Sequence, residues 1–214
     1  MTRGLVLAAA LLAGISYFVA WRLLPHGSLI IAWKGAGVGL LALWALLSAP
    51  GSEGRWFAVV LALGALGDVL IEAVGLTAGA LAFLAGHVLA TAFYLRHRRA
   101  APFWDLAPIA LGRLLIIPLL AFLFPDDRSA APGIALYATG LGAMAASAWV
   151  SRFPRKLVSR GALFFAVSDL LIFARLGPLR DSVVPGLLIW PLYFAGQAMI
   201  AIGVVGSLRR GKVA

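Results

Sequence analysis

Apolar runs of membrane-spanning length, repeated along almost the whole chain, leave few folds open to it. They fall at roughly 4–21, 29–48, 56–74, 77–95, 104–124, 132–150, 161–177 and 184–207. A helix of about 20 residues crosses the hydrocarbon core of a bilayer. No water is present there to satisfy backbone N–H and C=O groups, so a spanning segment must pair its own, as an α-helix does. The chain is therefore read as all-α, a polytopic transmembrane bundle of eight spans. Arg3 followed by a Leu/Ala run also looks like a secretory signal. No small-residue cleavage site precedes Trp21 and Arg22, so the first run is kept as a span. Connections between runs are too short for a soluble module, which makes residues 1–214 a single integral membrane domain.

Charge sets the orientation. The net charge is +10, yet charged residues are only 12% of the chain and hydrophobic ones 63%, with a mean hydropathy of +1.00. That balance excludes a soluble nucleic-acid-binding protein, and the basic residues cluster between runs, as membrane orientation requires. With eight spans, one face carries Arg3, Arg55, Arg96, Arg98, Arg99, Arg152, Arg155, Lys156, Arg160, Arg209, Arg210 and Lys212. The other carries Arg22, Arg128, Arg175 and Arg180. The positive-inside rule then predicts both termini in the cytoplasm of a multi-pass protein of the cell (inner or plasma) membrane. There is no cysteine, hence no disulfide, thiolate metal site or cysteine nucleophile, and neither a metal nor a cofactor is expected.

The informative residues are polar groups inside the runs, because ionisable side chains at membrane depth are expensive and mark functional sites. Counting about 1.5 Å per residue from the outer end of each run puts Lys34 about 8 Å deep, Asp68 about 9, Asp169 about 12, Tyr193 about 13, His87 about 15, Arg113 about 16 and Gln197 about 20. Groups from six helices thus fall in one slab, which predicts a polar cavity within the bundle. Asp68 and Glu72 share a helical face, as do Trp190, Tyr193 and Gln197, whereas Ser168 points about 100° away from Asp169. Lys34 can instead snorkel towards headgroups, Glu72 reads as a solvated boundary residue, and Arg113 can serve simply to neutralise a carboxylate. Asp68 and Asp169 have the fewest structural explanations.

These residues carry a resemblance. Leu66-Gly67-Asp68, Phe83 with Gly86-His87, Gly161-Ala162 and Phe165 leading to Ser168-Asp169, and Tyr193-Phe194-Ala195-Gly196-Gln197, with Lys34 early in the second run, resemble in order the YhhN family of polytopic membrane proteins. Characterised members are lysoplasmalogenases. The resemblance implies eight spans and hydrolysis of the vinyl ether of a lysophospholipid-type substrate drawn from the membrane, an alkenylglycerophospho-choline or -ethanolamine. The products are a fatty aldehyde and the glycerophospho headgroup.

Vinyl ethers are cleaved by protonation at carbon followed by capture of the oxocarbenium ion by water. That chemistry needs a proton donor and a nearby negative charge, as in glycosidases. On the resemblance, Asp68 and Asp169 supply these roles in an order left open, His87 relays protons or positions water, Lys34 or Arg113 holds phosphate, and Tyr193 and Gln197 line the substrate site. Many members have a tyrosine three residues after the histidine; here that position is Ala90, leaving Tyr94 as the nearest hydroxyl of that kind.

A different class of protein, a transporter or binding protein for a small polar or lipidic solute, would use the same layer. Gly67-Asp68 and Ser168-Asp169 lie four spans apart, as in a duplicated transporter, but no other repeat supports it. An intramembrane aspartyl protease is disfavoured because Ala65-Leu66-Gly67 replaces the Gly-x-Gly expected before its aspartate.

Overall fold

In the computed structural model, which describes residues 2–211, eight helices follow one another. They are α1 (Thr2–Leu23), α2 (Ser28–Ser48), α3 (Gly51–Ala73), α4 (Leu76–Arg96), α5 (Phe103–Leu123), α6 (Ala131–Val150), α7 (Arg160–Ala174) and α8 (Val184–Arg209), with a π-helical turn, Arg155–Ser159, leading into α7. All eight spans, the seventh taken with its π turn, are long and apolar enough to cross a membrane. Among the described residues there is no strand, only an isolated antiparallel bridge between Arg98 and Ser151. Lys212, counted above with the basic face, lies outside the described residues.

Differences from the predicted ends have local causes. The third helix starts five residues before Trp56, because Pro50 and Gly51, the latter with φ of 65°, turn the chain directly out of α2. Its polar first turn, Ser52 to Arg55, is helical rather than loop. The seventh span begins earlier through the π turn that follows Pro154, whose carbonyl accepts from Leu157 and Val158 N–H at 3.0 and 2.8 Å. It ends at Ala174, where a tight turn returns the N–H of Gly177 and Leu179 to the Ala174 carbonyl.

The chain forms two compact units, one of Met1–Ala90 with Ala201–Ala214, the other of Thr91–Ile200. In the first, α1 lays its stripe Ala10, Gly14, Tyr17 and Ala20 inward, and Trp33 of α2 donates its indole N–H to the Ala13 carbonyl and Ser16 hydroxyl, both at 3.2 Å. Small residues then let backbones meet. A Cβ at Gly35 of α2 would lie 2.5 Å from Val69 of α3, and one at Gly67 of α3 would lie 2.7 Å from the Phe83 ring of α4. Both contacts sit beside Asp68 in the chain, so close packing brackets that residue.

The second unit repeats the device. A Cβ at Gly161 of α7 would meet the Gly196 carbonyl of α8 at 2.7 Å, and one at Gly196 would meet the Gly161 carbonyl at 2.6 Å. On α5, Pro118 cannot donate to the Leu114 carbonyl one turn before it, and Gly142 of α6 packs against the Arg113 and Leu114 carbonyls there.

Gly161→Ala should destabilise the protein by about 1–3 kcal/mol, because the α7 and α8 backbones must part. Gly4→Ala, with nothing within 4 Å of the added methyl, should be neutral or gain up to about 1 kcal/mol of helix propensity. Thermal unfolding in detergent reads the contrast; equal effects at the two positions would discount the α7/α8 contact.

Candidate functional site

The first unit positions Asp68, His87, Lys34 and Glu72. Asp68 is 2% exposed and His87 3%. Gly67 immediately precedes the aspartate, and the Phe83 ring resting on it belongs to the turn of α4 just before His87. Gly86 faces Leu63 and Val60 of α3, which turns this stretch of α4 towards a helix. One turn beyond Asp68 on the same face, Glu72 accepts an ion pair from Lys34 Nζ at 2.7 Å. The lysine thus neither stands alone nor simply snorkels, and the glutamate is a partner as well as a boundary residue. Tyr17 of α1, buried, lies within electrostatic range of both Glu72 and Asp68.

In the second unit, Asp169 is 6% exposed. Its Oδ2 accepts a hydrogen bond of 2.6 Å from the Tyr137 hydroxyl of α6, and its Oδ1 takes part in no hydrogen bond among the described residues. The Tyr137 ring is braced edge-on by Phe173, 5.9 Å between centroids. Ser168 turns the other way, donating to the Ile189 carbonyl at 2.9 Å, so it fastens α7 to α8 and leaves Asp169 to its own site. Tyr193 and Gln197 share one buried face of α8, the amide approaching the phenol oxygen at a long 3.4 Å, with Phe165 edge-on to Tyr193 and Trp190 tilted against it.

Arg113 departs from the expected slab. Its Nη1 donates to the Ala145 carbonyl at 2.9 Å and the Ser159 hydroxyl at 2.8 Å, so its partners are neutral oxygens rather than a carboxylate. Ser159 precedes Asp169 by ten residues, about 15 Å along a helix, and the guanidinium therefore reaches the opposite end of the span from Asp169. The cause is side-chain length, since depth counting follows Cα atoms while an arginine extends several ångströms beyond. Tyr94 packs edge-on to Phe153, within an aromatic group that includes His97.

Tyr137 and Tyr17 carry no formal charge at neutral pH and, unlike Tyr193, stand outside the motifs that carry the family resemblance. Depth counting would have found them. Each lies six residues, about 9 Å, from the end of its helix that shares a face with the shallow ends used for Asp68 and Asp169.

Residues 29–204 match the YhhN family. The chain is 30% identical over 211 residues to proteins named lysoplasmalogenase from Mycobacterium bovis and from Mycobacterium tuberculosis, covering 89% of this chain and 80% of each relative. No solved structure matches it. With eight apolar helices in the predicted order and the family's match running from the second helix into the last, the chain belongs to the YhhN family of multi-pass membrane proteins.

Proposed function

We propose that the protein is a membrane-embedded hydrolase that cleaves the vinyl ether of lysoplasmalogens, releasing a fatty aldehyde and a glycerophospho-choline or -ethanolamine. Family membership and the mycobacterial relatives support the reaction class. The observation that carries the residue assignment is the buried Asp169, held at Oδ2 by Tyr137 with Oδ1 uncommitted. A carboxyl fixed at one oxygen and open at the other can meet a reacting atom without first reorganising, and such preorganisation supplies much of an enzyme's transition-state stabilisation.

The chemistry needs two charges handled in sequence. A proton is delivered to the outer vinyl carbon, the resulting oxocarbenium ion is stabilised by a negative group, and water adds to give a hemiacetal that collapses to aldehyde and alcohol. Asp68 and Asp169 are the residues proposed for the acid and the stabilising roles, with His87 as proton relay or water-positioning group. Each unit of the chain buries one of the two carboxyls. Tyr193 and Gln197 are proposed to line the substrate site. Lys34 is proposed as a headgroup contact that exchanges its Glu72 partner for phosphate, a swap between like charge-assisted hydrogen bonds. The inner or plasma membrane is the proposed location, with both termini in the cytoplasm.

Aldehyde release from an alkenyl-lysophospholipid by the purified protein tests the assignment. Asp68→Asn and Asp169→Asn should each lower kcat by on the order of a thousandfold while unfolding near the wild-type temperature. Full activity in both variants would sink it. Tyr137→Phe retains the ring against Phe173 and removes only the hydroxyl. It should lower kcat about tenfold or more with KM little changed, the expected loss of one hydrogen bond to a charged group; unchanged kcat would reduce Tyr137 to packing.

A further inference from the structure

The second unit carries, at the end away from Asp169, a cluster that the proposed reaction does not use. The segments before α5 and after α6 are clamped together there. Arg99 N–H donates to the Val150 carbonyl at 3.0 Å, and Arg152 N–H to the His97 carbonyl at 2.7 Å. The Arg99 guanidinium closes on the Ser151 carbonyl through Nε and Nη2 at 2.9 and 2.6 Å. Burial and then the charge of Arg155 push the Arg99 guanidinium below its ordinary value, which brings Arg155 within electrostatic reach. Arg155 stands 3.7 Å above the centre of the Trp149 ring, and Arg113 lies 5.5 Å from the same centre.

Two guanidiniums, those of Arg155 and Arg113, face one indole, and among the described residues neither they nor Arg99 is ion-paired. Asp105, the acidic residue nearest to Arg113 in the chain, is exposed and pairs with none of them. Arg155 donates no hydrogen bond among the described residues. Its Nε and the indole Nε1 of Trp149 are both shut off from water without an acceptor. A buried donor without an acceptor costs free energy, and a guanidinium so placed costs more. The arrangement is complete only with an anion that brings several acceptor oxygens, and a planar five-donor fork suits phosphate. The π turn Arg155–Ser159 also opens the span of α7 here, so the positive end of a helix dipole points to the same place.

We propose that Arg155, Arg113 and the Trp149 indole bind a phosphate group, carried by an anionic lipid headgroup or present as the free ion. The phosphate of a substrate being cleaved at Asp169 is not this ligand, a step that rests on the proposed reaction. Phosphorus and vinyl ether are six bonds apart, at most about 7 Å when extended, against about 15 Å of helix between Ser159 and Asp169. By the positive-inside rule this end faces the cytoplasm, whose leaflet is rich in anionic lipid.

Thermal unfolding and equilibrium binding of the full chain in uncharged detergent, without substrate, test the site. The probes are dioctanoyl phosphatidylglycerol, inorganic phosphate at matched ionic strength, and uncharged dioctanoylglycerol. The wild type should be stabilised by phosphatidylglycerol and not by dioctanoylglycerol. An equal shift with inorganic phosphate assigns the site to the free ion, and a shift with the lipid alone assigns it to a headgroup; either supports the proposal.

Arg155→Gln, which breaks no internal hydrogen bond, should weaken binding about tenfold or more. Trp149→Phe, which keeps the ring and loses the N–H, should weaken it less, and Arg209→Gln should leave it unchanged. Wild-type affinity in Arg155→Gln, or no binding of either phosphate probe by the wild type, overturns the proposal. Neither result touches the reaction, since no turnover is measured.

Discussion

A carboxyl surrounded by hydrocarbon has no solvent to turn to, and must find its partners in the protein. This constraint organises both halves of the chain. In the second unit it is met by Tyr137, whose hydroxyl takes one oxygen of Asp169. In the first, the acidic face of α3 is met at Glu72 by Lys34, with Tyr17 within electrostatic range of both acids. These partners must be held at hydrogen-bond distance by helices that have no hydrophobic force driving them together, since lipid tails are as apolar as leucine.

Close backbone approach supplies what the hydrophobic effect does not. Gly35 and Gly67 bring α2 and α4 onto α3 at residues adjoining Asp68, and the Gly161/Gly196 contact does the same for α7 and α8 at the level of Phe165 and Tyr193. Dispersion over such contacts is individually small and collectively large. Close packing and the polar site are therefore aspects of one design. The sequence motifs that place a glycine beside a buried ionisable residue, Gly67-Asp68 and Gly86-His87, combine in two letters a packing requirement and a polar group.

That combination explains what was legible. The eight helices and the burial of Asp68, His87, Asp169, Tyr193 and Gln197 could be read from the chain, because run length and the cost of polar groups in hydrocarbon depend on residue type alone. The pairing of Tyr193 with Gln197 followed from helical spacing. What could not be read depends on where side chains end rather than where they begin. Arg113 was placed at mid-membrane by its Cα, yet its guanidinium lies with Ser159 at the far end of the span. No spacing in the chain pairs Lys34 with Glu72, which are partners across two helices. Tyr137, unlike Tyr193, stands in none of the motifs that carry the family resemblance, and a neutral phenol alone raises no alarm in a hydropathy profile. The π turn at Arg155–Ser159 left no mark in the apolar pattern because its residues are as polar as those of a loop.

The central claim is that the buried carboxyls drive addition of water to a vinyl ether, and the position of the broken bond tests it most directly. Turnover of an alkenyl-lysophosphatidylethanolamine in heavy-oxygen water, with mass spectrometry of the glycerophosphoethanolamine released, reports that bond. Protonation at carbon and hemiacetal collapse break the bond between oxygen and the former vinyl carbon. The glycerol therefore keeps its own oxygen, and the account predicts an unlabelled headgroup product formed together with aldehyde. Solvent oxygen in the glycerol, or no headgroup product at all, would contradict it.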